Sequence, residues 1–141
     1  MKLMYEKWIP IENMPSAVNY VFTVSIKDDV INGLRILLNF HDYPKTLKIS
    51  PNTKNIKLPY RVCGEELILL QDNNLPLKDN GVWHYFYKLK KSDFIDEFYS
   101  IYGYKFEVEH YCIFSEDYNF KFLSFIDNPP IVEWISKDRK V

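Results

Sequence analysis

The chain has 141 residues, 47% hydrophobic and 26% charged, with a formal net charge of −1. That length fits a single domain, residues 1–141, that buries about two-thirds of its unfolded surface, and the composition excludes a disordered chain. A near-neutral balance argues against direct nucleic-acid binding, where phosphate neutralisation dominates affinity, and four glycines leave no glycine-rich phosphate loop.

The first fifteen residues, "MKLMYEKWIPIENMP", hold polar residues and two prolines where a secretory signal needs an unbroken apolar run. No stretch approaches the length of a membrane span, so a cytoplasmic location is expected. From Asn19 to Lys27 the sequence alternates, with Tyr20, Phe22, Val24 and Ile26 on one side. That is a half-buried strand. "KDDVING" follows as a turn, and Leu34, Ile36, Leu38 and Phe40 resume the period, predicting an antiparallel pair. A short "LKIS" strand comes next. Then Ile56, Leu58, Tyr60 and Val62 share a face, while Pro59 cannot donate to a ladder and so demotes this strand to an edge. "LILL" (67–70) reads as a further buried strand, and 71–81 as irregular loop. In "VWHYFYKLK" both faces carry large aromatics, which predicts a central strand.

One helix stands out. Ser92 is a good N-cap, Asp93 and Asp96 suit the positive end of the dipole, and Gly103 suits the stop. Phe94, Phe98, Ile101 and Tyr102 form one apolar stripe, expected to face the sheet. Beyond it, Phe106, Val108, His110, Cys112 and Phe114 alternate with Glu107, Glu109, Tyr111 and Ile113. "YNFKFLSF" fits period two better than a helix, and "IVEWI" adds a last short strand. The expected architecture is α+β: a mostly antiparallel, curled, partly barrel-like sheet with one main α-helix packed on it. Ile101, Trp83 and Tyr85 are expected in the core with Phe22, Ile36, Leu38, Phe94 and Phe98.

Catalytic and metal motifs are absent. His110 and Cys112 share a strand face, about 7 Å apart by strand rise, and parallel side chains seldom reach the hydrogen-bond contact a Cys–His nucleophile needs. Three histidines and two cysteines at wide intervals lack the close pairs of a zinc site, and two cysteines make no disulfide framework. No enzyme activity, metal or cofactor is expected. The charge layout is uneven. Residues 44–62 hold five basic residues and no acid, while 92–135 hold nine acids against two lysines, a net of −7. With 17% aromatic residues, this suggests an acidic, aromatic surface for a basic partner.

"YRVCGEELILL", "WHYFYKLKKSDFIDEFYSIYG" and "HYCIFSEDYNFKFLSFIDNPPIVEWI", taken in order over Tyr60–Ile135, resemble a group of small bacterial proteins. These accompany polymorphic or contact-dependent toxins and are taken to be immunity proteins. The resemblance implies a protein that neutralises one cognate toxin domain, such as a nuclease with a basic cleft, by direct protein–protein binding. The residues expected to project outward and make that contact are Glu107, Glu109, Tyr111, Glu116, Asp117 and Tyr118. Reversing Glu109, Glu116 and Asp117 to Lys is then expected to weaken binding without unfolding. The alternative expectation is a small-ligand-binding barrel whose cavity is lined by Trp83, Tyr85, Phe86 and Tyr87.

Overall fold

A computed structural model describes residues 5–12, 22–41, 43–51, 57–64, 78–79, 82–83, 86–104, 106–115 and 118–137. The predicted alternation becomes strands β1 (Glu6–Lys7), β2 (Phe22–Asp29), β3 (Gly33–Phe40), β4 (Lys45–Ser50) and β5 (Tyr60–Gly64). After the short β6 (Lys78–Asp79) and β7 (Val82–Trp83) come β8 (Phe86–Leu89), helix α1 (Asp93–Tyr102), β9 (Val108–Phe114), β10 (Tyr118–Phe125) and β11 (Ile131–Ser136). All pairings are antiparallel, and the segment 118–125 is a strand, as its period predicts.

The strands do not curl into one sheet. They split into a five-stranded sheet, β1-β8-β9-β10-β5, and a four-stranded sheet, β11-β4-β3-β2, with β6-β7 as a separate ribbon. Period two explains why the two sheets stack. Phe22, Leu34, Ile36, Leu38, Phe40, Leu47 and Ile49 from one sheet and Phe86, Tyr111, Ile113, Phe120 and Phe122 from the other form a single cluster. Burying that apolar area between two faces is the main stabilising term. On the far side of the five-stranded sheet, α1 lays Phe94, Ile95 and Phe98 over Val108, Leu123 and Phe125. The five-stranded sheet is therefore the middle layer, and every residue of β9 is buried.

Phe86 belongs to the inter-sheet cluster, and Tyr87 packs with Leu89, Cys112 and Phe114 on the helix side. Neither lines the barrel cavity the alternative expectation required, because the sheets stay open. Trp83 and Tyr85 side chains, Tyr20, Ile56 and the 67–70 segment lie outside what is described. Pro59 acts as expected: β5 starts just after it, at the edge of its sheet. The β2–β3 turn is built by Asp29, whose Oδ1 accepts from the Ile31 and Asn32 amides at 3.0 and 2.6 Å. The Asn32 amide, with Arg35 beside it, holds the Asp29 carboxyl below the usual carboxylate range. Gly33 completes the turn at φ +71°, where a side chain would be strained.

Helix α1 has the predicted bounds. Ser92 Oγ accepts from the Ile95 amide at 3.2 Å, and the Gly103 amide caps the Tyr99 carbonyl at 2.8 Å. The stripe departs from expectation at its end. Phe94 and Phe98 are buried, but Ile101 is 73% and Tyr102 54% exposed. The apolar stripe is longer than the sheet beneath it.

Candidate functional site

His110 is a buried polar side chain of the middle layer, held at both ring nitrogens. Its Nδ1 lies 2.8 Å from Ser92 Oγ and its Nε2 3.3 Å from Cys112 Sγ. The expectation that His110 and Cys112 fall out of reach is wrong, because the imidazole spans the gap between same-face neighbours. Ser92 Oγ already accepts from Ile95, so the pairing that satisfies its hydroxyl has Ser92 donating to Nδ1. Nε2–H then donates to Cys112 Sγ, and the imidazole is not placed to take a proton from the thiol. Burial, followed by the charges of Lys121 and Arg61, lowers the His110 pKa to about 3. With His110 and Cys112 both buried, the trio acts as a clamp between the helix N-cap and β9 rather than as an accessible nucleophile.

Of the six residues expected to meet a partner, the three whose side chains are described do not share one exposed surface. Glu107 is exposed. Glu109 is only 9% and Tyr111 only 5% exposed, because β9 is covered on both faces. Tyr111 stacks on Phe122 with ring centroids 5.1 Å apart, and burial, with Glu109 nearby, raises its pKa to about 12. Glu109 lies 3.9 Å from Lys88, and its buried Oε2 has no hydrogen bond. Glu116, Asp117 and the Tyr118 side chain lie outside the described residues. Alternation alone assigned Glu109 and Tyr111 to an outer face, yet that face is the inside of the sandwich.

The uneven charge layout is partly neutralised within the chain. Lys48 meets Glu133 at 3.6 Å across the β4–β11 pair, and Arg61 pairs with Glu97. Lys57 pairs with Asp28 at 2.8 Å, which raises the lysine pKa. Basic and acidic segments far apart in sequence thus meet in the fold.

Among the described residues, openings lie toward the end of the middle sheet where β9 begins and β10 finishes. A groove of about 530 Å³ runs there between α1, the start of β5 and the end of β2. Phe94, Phe98, Ile101 and Tyr102 form one wall, with Tyr60 and the two ion pairs Asp28–Lys57 and Arg61–Glu97 around it. The Arg61 guanidinium sits 4.7 Å from the centre of the Phe94 ring. A second pocket, of about 340 Å³, joins Tyr104, Phe106, Glu107, Phe125, Ile126 and Asp127. Tyr104 is 81% exposed, and Ile126 is exposed beside it. Sequence reasoning missed the groove, although one signal was present: the inward row Phe22, Val24, Ile26 continues to Asp28, which sets a carboxylate on the inner face. Among the described residues no cluster of His, Cys, Asp and Glu could hold a metal, and no helix is long and apolar enough to cross a membrane. Comparison with family models, with curated proteins and with solved structures gave no match.

Proposed function

We propose that the protein is a cytoplasmic immunity-type protein that neutralises a cognate bacterial toxin by direct binding, without turnover. One observation carries the reading: the α1 stripe runs off its sheet and leaves Ile101 and Tyr102 in the open, beside a groove. Ile101 adds little to folding where it stands, Tyr102 rests only part of its ring on Phe98, and contiguous exposed aromatic and aliphatic groups mark protein contacts. Glu107 and Asp127 flank the same end, and the last turn of α1 holds no basic residue to offset its carbonyl dipoles. Such an end favours a basic partner. The Tyr60–Ile135 resemblance supports the immunity class, and a toxin domain with a basic cleft fits the chemistry. The contact is centred on the α1 C-terminus rather than on Glu109 and Tyr111. The test starts from the reading frame directly upstream, where a large secreted protein with a variable C-terminal domain supports the proposal and a metabolic operon counts against it. It continues with co-expression of that C-terminal domain. Growth restored by the native chain and lost with Ile101→Lys/Tyr104→Lys supports the proposal, and no rescue by the native chain overturns it.

A further inference from the structure

We infer that the groove between α1 and β5 receives an arginine side chain from the surface of a protein partner, with Asp28 as its acceptor. This rests on the binding reading above and names the chemistry the groove recognises. Three observations converge. Asp28 Oδ1 is buried with no hydrogen-bond partner, and a buried acceptor left unmade is costly. Its other oxygen is held by Lys57 at 2.8 Å, but the lysine side chain is 72% exposed against 13% for Asp28. An ammonium so placed is held weakly and can leave into water. The groove also already binds one guanidinium in the mode required: Arg61 lies over Phe94 and pairs with Glu97.

An incoming guanidinium could satisfy both Asp28 oxygens with two parallel N–H donors, which one lysine cannot do. Its flat apolar faces suit the ring surfaces of Tyr60, Phe98 and Tyr102 that line the groove. An anion is disfavoured, because the unmatched atom is itself a carboxylate oxygen and both cations are already paired. Lys57 would release Oδ2 into water as the guanidinium docks, so that Asp28 keeps one cationic partner and the added charge is screened by solvent at Lys57.

The test is an NMR titration of the full-length, ¹⁵N-labelled chain with Nα-acetyl-arginine amide. Its neutral isostere Nα-acetyl-citrulline amide and unblocked L-arginine are run beside it. Binding in roughly the millimolar range is expected for so small a fragment, with amide shifts at Asp28, Lys57 and Ile101. Citrulline should bind at least fivefold more weakly, Asp28→Asn should cost about tenfold, and Lys57→Gln should tighten binding severalfold. The Lys57→Gln gain is an effect that mere damage to the fold would not produce. Equal affinity for citrulline, shifts confined to other residues, or no response to Asp28→Asn and Lys57→Gln would overturn the inference. A marked preference for unblocked arginine would also overturn it, by pointing to a small molecule. Arginine binding without toxin binding would remove the immunity reading and leave the groove intact. Toxin binding without arginine binding would do the reverse.

Discussion

Ser92 Oγ sits 2.8 Å from His110 Nδ1 while also accepting the Ile95 amide, so one hydroxyl caps α1 and fixes the imidazole of the middle strand. Ser92→Ala removes the cap, worth about 1 kcal/mol. It also leaves a buried ring nitrogen unmatched, at about 1–3 kcal/mol. A loss of about 2–4 kcal/mol in urea unfolding is expected, with Ser92→Thr much milder. A loss below about 1 kcal/mol would show that the two roles are not coupled.

His110 also sets a pH dependence. Its pKa falls from 6.5 to about 3 on folding, chiefly through burial. Between those values the unfolded chain takes up a proton that the folded chain refuses. Stability is therefore full above pH 6.5 and declines as pH falls, by at most about 1.4 kcal/mol per unit from this group. Unfolding free energies at pH 7.0, 6.0 and 5.0 should show the decline in the native chain and a flatter profile in His110→Gln. Identical slopes would remove His110 as the cause.

Glu107 and Glu109, two residues apart, should respond unequally to charge reversal. Glu109→Lys puts an ammonium in place of a nearly buried carboxylate, beside the part-exposed Lys88 that now lies 3.9 Å from it. A loss of about 3–5 kcal/mol is expected in thermal or urea melts. Glu107 is exposed, and Glu107→Lys should stay within about 0.5 kcal/mol. A folded, stable Glu109→Lys would contradict the burial described here.

The end of α1 should tolerate charge. Ile101→Lys/Tyr102→Lys puts two cations in a last turn that has no basic residue, where the helix dipole favours them by about 0.3–1 kcal/mol each. Offset against the lost contact of the Tyr102 ring with Phe98, stability should change by no more than about 1 kcal/mol. A drop above about 2 kcal/mol would mean that the stripe is core after all.

Much of the fold was legible because period two and cap chemistry are local. Phe22–Ile26 and Leu34–Phe40 faced inward as read, Ser92 and Gly103 bounded the helix, and Pro59 marked an edge. Alternation reports which residues share a face, but not whether a second sheet covers it. For that reason alternation alone sets Glu109 and Tyr111 on a surface and suggests one curled sheet, where the fold has two stacked sheets. Ile101 shows the converse, since periodicity aligned it with Phe94 and Phe98 but could not tell where the sheet ends. The groove joins Asp28, Lys57 and Glu97, which lie tens of residues apart, and no local pattern pairs them.

Hydrogen–deuterium exchange on the chain mixed with a candidate cognate toxin domain tests the central claim most directly. New protection is predicted in the last turn of α1 through Tyr104, in Lys57–Arg61 and around Ile126. Protection confined to the outer face of the β11-β4-β3-β2 sheet, with the α1 C-terminus exchanging as in the isolated chain, would contradict it.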